Sequence, residues 1–171
     1  MSGQNESKPL TVNEQLAEFE QIMNEHETKI DLMFPKCKPV EIETALNITE
    51  EDLKIMNAEE CGIKAHTLSK YIMHLQKDIN RNNLRTNWAK DKLNKLLGAK
   101  GDQYGDKYTK YEAKLGMLCA DNTYAAGLNN ILLHAESRII SLNNITMHIS
   151  LICNTLIGLQ NSKRRQQYDS N

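Results

Sequence analysis

Apolar residues recur at alternating intervals of four and three residues through the last third of this chain. This interval places side chains along one seam of an α-helix that packs against another helix, as in a coiled coil. In this chain only one charged residue interrupts the series. The spacing therefore predicts an apolar helix over about 121–161. Its members, called the first stripe, are Tyr124, Leu128, Ile131, Ala135, Arg138, Leu142, Ile145, Ile149, Ile152, Leu156 and Leu159.

A second apolar stripe runs beside the first on the same predicted helix. It consists of Leu133, Ile140, Met147, Leu151 and Gly158. One partner helix covers only a narrow seam, and an isolated subunit with two stripes would expose a large apolar patch. We therefore predict a homo-oligomer and leave the number of subunits open. The predicted oligomerisation residues are Leu128, Ile131, Leu133, Ile140, Leu142, Ile145, Ile149, Leu151, Ile152 and Leu156.

Two earlier stretches show the same spacing and carry helix-start signals. Thr11 followed by Glu14 has the form of a capping box and opens a predicted helix over 11–33. Asn57 followed by Glu60 precedes a second predicted helix over 58–97. The sequence predicts an all-α protein: a long antiparallel helical hairpin with coiled-coil-like packing, plus an N-terminal helix.

Composition divides the chain into three predicted segments. Residues 1–46 form an acidic N-terminal segment that contains helix 11–33. Residues 47–161 form the hairpin, in which a glycine-rich linker over 98–107 joins the two long helices. Residues 162–171 are expected to be a basic, flexible tail.

Charge is sorted along the chain, although the total is only −1. Residues 1–60 hold 5 Lys/Arg and 14 Asp/Glu, whereas residues 61–100 hold 9 Lys/Arg and 2 Asp/Glu. At 100° per residue, one face of helix 58–97 collects six cations and the single tryptophan of the chain. We expect this basic row to face outward and to contact nucleic acid, with the indole stacking on an unpaired base. The row consists of Lys70, Lys77, Arg81, Arg85, Trp88, Lys92 and Lys95.

Each of these features also has a plainer interpretation. Lysines and arginines on a helix commonly form a solvated face, and a tryptophan such as Trp88 commonly packs internally. The acidic segment is either an appendage that keeps the protein dispersed or a regulatory element. In the second case, helix 11–33 competes with DNA for the basic row or binds a basic partner.

Signals for catalysis, metal binding and membrane insertion are weak. Cys61, His66 and His74 lack the spacing of a zinc site, and no Gly-Lys-Ser/Thr motif follows the glycines near residue 98. We expect no catalytic residues, no metal and no cofactor. Residues 139–161 contain no charged residue but many Asn, Ser and Thr, which favours a buried soluble helix over a membrane span. Scattered cysteines without a C-x-x-C pair favour the cytoplasm.

Residues 57–160 contain stretches that resemble a known family. The lysine-rich helix "LSKYIMHLQKDINRNNLRTNWAKDKLNKLLGAKG" is followed by the linker "DQYGDKYTKYEAKLGMLCAD" and by an apolar helix. This arrangement resembles the UvsY family of phage recombination mediators. Lys92 and Lys95 match the family's basic positions before a glycine. The paired aromatic residues often found there are replaced by Leu97 and Ala99.

The resemblance implies a function. It implies a ring-like homo-oligomer without a cofactor that binds single-stranded DNA in the cytoplasm of the phage's host cell. Its partners would be a RecA-type recombinase and a single-strand-binding protein. It would help to load the recombinase during recombination, repair and replication. The alternative is a structural or scaffolding coiled-coil protein of phage assembly that does not bind DNA.

Overall fold

The structure, a computed structural model, describes residues 10–29 and 36–169. Of these residues 89% are helical, and none of them forms a strand. Helix α4 packs against helix α6 as a helical hairpin, and an N-terminal helix accompanies it, so the predicted fold class is confirmed. The helices are α1 (Val12–Lys29), α2 (Pro39–Leu46), α3 (Glu50–Ile55), α4 (Ala58–Lys100), α5 (Tyr111–Asp121) and α6 (Thr123–Asp169), with a 3₁₀ turn at Gly101–Tyr104.

Reciprocal side-chain caps fix where the helices begin. The backbone N–H of Thr11 donates to Glu14 Oε2 at 2.6 Å, and the N–H of Glu14 donates back to Thr11 Oγ1 at 3.3 Å. The same exchange joins Asn57 and Glu60 at the start of α4, with distances of 2.7 and 2.9 Å. Both predicted helix starts are therefore confirmed, because each cap satisfies N–H groups that have no partner within the helix.

The predicted helix ends are less accurate. Helix α4 continues to Lys100, and the predicted linker 98–107 is replaced by the end of this helix, the 3₁₀ turn and a loop before α5. The last four residues of the predicted helix 11–33 lie outside the described residues.

The predicted flexible tail 162–171 is wrong over 162–169, where α6 continues. Lys163, on this last part of the helix, donates to the main-chain carbonyls of Leu53 at 2.8 Å and Lys54 at 3.3 Å, and also to that of Met56. These contacts attach the end of α6 to the end of α3, where unpaired carbonyl groups favour a cation. Residues 170 and 171 lie outside the described part of the chain.

The chain forms two compact units. The first takes its described residues from 1–33 and 85–135, and the second from 34–84 and 136–171. Helix α1 belongs to the first unit and α2 to the second, so the boundary between these units differs from the predicted boundary at residue 46, which stays a prediction. Buried core residues of the first unit are Ala89, Leu93, Tyr104, Leu118, Ala125, Leu128 and Leu132. Those of the second are Ala45, Ala65, Leu68, Leu75, Ile79, Leu142, Ile149, Cys153 and Leu156.

Candidate nucleic-acid interface

The first three residues of the basic row, Lys70, Lys77 and Arg81, belong to the second unit and are half-buried. Lys70 lines an open groove of about 710 Å³ together with Arg164 and Glu59. The groove therefore mixes positive and negative side chains. This part of the row is partly accessible, and its charge is partly balanced within the unit.

The other four residues of the row lie in the first unit, where helix α1 contacts three of them. Nη2 of Arg85 lies 2.8 Å from Glu20 Oε1, and Nε of Arg85 donates to the same oxygen at 2.8 Å. The rings of Phe19 and Trp88 stack with centroids 5.6 Å apart and an interplanar angle of 19°. The expectation that the row faces solvent along its whole length is wrong here, because α1 lies over it.

The contact between α1 and the row extends to Lys92. Its Nζ lies 3.5 Å from Gln15 Oε1, and the same oxygen accepts a hydrogen bond from the Tyr124 hydroxyl at 2.6 Å. Lys95 is exposed, and its ammonium group pairs with Asp91 one turn earlier at 2.7 Å. Thus Arg85, Trp88 and Lys92 all have partners on α1, and Lys95 is the most accessible residue of the row in this unit.

A small residue on α6 allows α1 to approach this closely. A Cβ atom placed on Gly127 would lie 3.3 Å from Cγ2 of Val12, which is tighter than an ordinary van der Waals contact. Val12 and Trp88 both pack against the core of the first unit. The plainer interpretation of Trp88 as a packing residue therefore holds, although its ring remains half-exposed.

The structure contains an exposed turn with aromatic and basic side chains that the sequence analysis did not include in the site. The Asp106 carboxylate accepts hydrogen bonds from the N–H groups of Tyr108 at 2.9 Å and Thr109 at 3.0 Å, and from the Thr109 hydroxyl. These bonds hold the pKa of Asp106 below its ordinary value, and the bond from the Tyr108 N–H has the largest effect. Gly105, at φ +126°, supplies the positive φ needed to enter the turn.

This turn presents two adjacent side chains that suit a single-stranded nucleic acid. The Tyr108 side chain is 80% exposed, and Nζ of Lys107 lies 5.1 Å from its ring centroid. An exposed ring beside a cation is the usual platform for an unpaired base. Two Lys-Tyr pairs, at 107–108 and 110–111, are the sequence signal that identifies the turn.

The residues predicted for oligomerisation separate into an internal and an external set. Leu128, Leu142, Ile149 and Leu156 are fully buried inside the chain, and Ile131 and Ile152 are half-buried. The assignment of the four buried residues to an interface between subunits is wrong, because the chain's own core already covers them. The exposed members are Leu133, Ile140, Ile145 and Leu151.

The exposed residues continue the second stripe along α6. In the second unit, Ile140, Met147 and Leu151 lie at intervals of seven and four residues, and all are more than half exposed. We call these three residues the apolar face. By length and composition α6 is also apolar enough to cross a membrane, although one such helix is weak evidence for a span.

Residues that could support metal or thiol chemistry are not clustered in the described residues. No group of three or more His, Cys, Asp and Glu side chains could hold a metal ion there. Burial raises the pKa of the Cys153 thiol, whose sulfur lies 3.5 Å from the carbonyl oxygen of Ala65. A raised pKa disfavours the reactive thiolate.

The fold and these surfaces define an all-α helical-hairpin protein with a basic, aromatic helix face and an exposed apolar helix face. Comparison of the chain with protein-family models, with curated proteins and with solved structures gives no match.

Proposed function

We propose that this protein is an oligomeric single-stranded-DNA-binding protein that acts as a recombination mediator. The observation that carries the DNA-binding part is the grouping of Arg85, Trp88 and Lys92 on one face of α4. There a half-exposed indole lies between two cations. The indole already stacks on an aromatic ring, and Arg85 already pairs with a carboxylate. A single strand offers the same two chemistries, a base to stack and a negatively charged phosphate to pair.

Electrostatics extends the proposed interface beyond these three residues. Residues 61–100 carry a net charge of +7 from 9 Lys/Arg and 2 Asp/Glu. Cations that pair with phosphates release condensed counterions, which makes binding favourable and strongly dependent on salt. Lys70, Lys77, Arg81 and Lys95 are the further phosphate contacts of the proposal, and Tyr108 is a second stacking position.

We propose that the apolar face of α6 binds a second copy of the same chain. No charged residue occurs between Ile139 and Asn161, so two such faces can meet without burying unpaired charge. Assembly would place several weak strand-binding surfaces on one particle and raise the avidity for a long strand without new contacts per subunit.

The mediator role rests on the resemblance to the UvsY family. Under this proposal, the assembled protein loosens a single-strand-binding protein and presents DNA to a RecA-type recombinase in the host cytoplasm. The class of substrate is a single strand without defined sequence, because stacking and phosphate pairing do not read base identity.

Fluorescence anisotropy of a labelled oligonucleotide tests DNA binding. We expect binding at low salt that weakens as salt rises, and a further loss in the double variant Lys92→Ala/Lys95→Ala. Lys90→Ala/Lys100→Ala is the matched control, because both lysines are exposed on α4 outside the row and the loss of charge is the same. Absence of binding at low salt, or equal affinities for the double variant and the control, contradicts the proposal.

The structural or scaffolding alternative is favoured by one observation: α1 already occupies the row in the first unit. In that case the contact is permanent, and the basic residues serve stability and solubility. This alternative predicts self-association of the purified protein without affinity for oligonucleotides at any salt concentration.

A further inference from the structure

We propose that helix α1 is an intramolecular competitor of single-stranded DNA, which the strand must displace to reach Arg85, Trp88 and Lys92. This inference rests on the proposed DNA binding and adds its regulation. Its basis is the pair of contacts that Phe19 and Glu20 make with Trp88 and Arg85.

The chemistry of these contacts matches that of the proposed ligand. Phe19 covers the indole with a nearly parallel ring, which is the geometry of a stacked base. Glu20 places a carboxylate oxygen 2.8 Å from two nitrogens of the Arg85 guanidinium, where a phosphate oxygen of a bound strand would lie. A strand and α1 cannot make these contacts at the same time.

The charge of α1 suits this role as well. Val12–Lys29 contains five glutamates against one lysine. The helix therefore supplies the row with negative charge when no polyanion is present. A strand with many phosphates offers more negative charge than α1, and mass action then favours exchange.

The contact is weak enough to be exchanged. The side chains of Arg85 and Glu20 keep 29% and 32% of their surface exposed, and a partly exposed ion pair contributes little to stability. Most residues of α1 are exposed, and Met23 is the one fully buried residue in the described helix. Helix α1 is therefore held by a few side chains rather than by a large core.

Two substitutions on α1 remove the competing groups without changing the row. In Phe19→Ala/Glu20→Gln the ring and the carboxylate are lost. The affinity for an oligonucleotide should rise by about three- to seventy-fold, given the usual strength of one stack and one exposed ion pair. The slope of log affinity against log salt should also steepen, because binding to the variant no longer has to break the Arg85–Glu20 ion pair, which salt itself weakens.

The control is the double variant Ile22→Ala/Glu18→Gln. It makes the same loss of charge and a similar loss of apolar surface on α1, at exposed side chains. Its affinity should equal that of the unchanged protein. Far-UV circular dichroism checks that all variants keep their helix content.

A substitution on α6 tests the same exchange from the opposite side. Gly127→Leu inserts a side chain where Val12 lies and should loosen α1 without touching the row or its charge. It too should raise the affinity. Gly158→Leu is its control, because open space surrounds that glycine on the same helix.

The fluorescence of Trp88 provides a measurement that is independent of the affinities. It is the only tryptophan of the chain, so its emission reports the ring that covers it. Saturation with an oligonucleotide should quench this emission to the same level in the unchanged protein and in Phe19→Ala/Glu20→Gln, because a base covers the indole in both complexes.

The outcomes separate this inference from the proposed function. If the unchanged protein binds DNA and the α1 variants bind equally or more weakly, α1 is not a competitor, while the proposed DNA binding stands. If neither the unchanged protein nor the variants bind at low salt, the proposed function fails and this inference fails with it. Tighter binding by both α1-loosening variants, with unchanged controls, supports the competition.

Discussion

The apolar face of α6 supports a quantitative prediction about self-association. Leu151 is 58% exposed, and burying a whole leucine side chain contributes about 1.5–3 kcal/mol. Covering its exposed part in an interface is then worth about 1–2 kcal/mol per subunit. A twofold dimer contains the residue twice, so Leu151→Gln should weaken the dimer by about 2–4 kcal/mol, a rise in its dissociation constant of 30-fold or more.

Light scattering coupled to size-exclusion chromatography, over a hundredfold range of protein concentration, measures this change. Ile55→Gln is the matched control, because Ile55 is 81% exposed but lies on α3, away from the apolar face. The reasoning is refuted if the unchanged protein is monomeric throughout, or if Leu151→Gln assembles as readily as the control. Flotation with phospholipid vesicles tests the other use of this helix, since a membrane-bound face would carry the protein to the lipid fraction.

Three further predictions concern stability. The Thr86 hydroxyl is buried without a hydrogen-bond partner. Thr86→Val should therefore raise the free energy of unfolding, measured by urea denaturation, by about 1–2 kcal/mol. Thr155→Val, at an exposed site, is the control and should change this free energy little. Lys163→Met removes a cation bonded to main-chain carbonyls at the end of α3 and should lower the free energy of unfolding by about 1–2 kcal/mol; an unchanged urea midpoint would contradict this role. The backbone N–H and hydroxyl of Thr49 hold the pKa of Asp52 below its ordinary value. This carboxylate therefore stabilises the folded chain above the ordinary pKa, and the benefit is lost as the pH falls through the lowered one. In thermal unfolding followed by circular dichroism, Asp52→Asn should be less stable than the unchanged protein at pH 7 and equally stable at pH 2. A difference in stability that persists at pH 2 would show that the ionised carboxylate is not the cause.

Much of the fold follows from local sequence. The four-three spacing predicts α4 and α6, and the pairs Thr11–Glu14 and Asn57–Glu60 predict where α1 and α4 begin, because a cap involves residues only three positions apart. The ends are harder to predict. Residues 162–169 carry no apolar stripe, and they remain helical where Lys163 finds carbonyl partners on a distant segment.

The candidate site was predictable only as a set of residues on one helix face. The 100° rotation per residue places Arg85, Trp88 and Lys92 together whatever surrounds them. The occupant of that face depends on which surfaces meet in three dimensions, and Phe19 and Glu20 are more than 60 residues away in the chain.

The sequence by itself determined a helical hairpin, its charge segregation and two apolar stripes on α6, because helical periodicity and capping act over a few residues. Only the tertiary structure decided which stripe is internal and what covers the basic row. Leu142 and Leu151 are the same residue type in similar local patterns, yet the first is buried and the second is exposed. Their difference arises from packing against α4, which involves residues far apart in the chain and which no local pattern encodes.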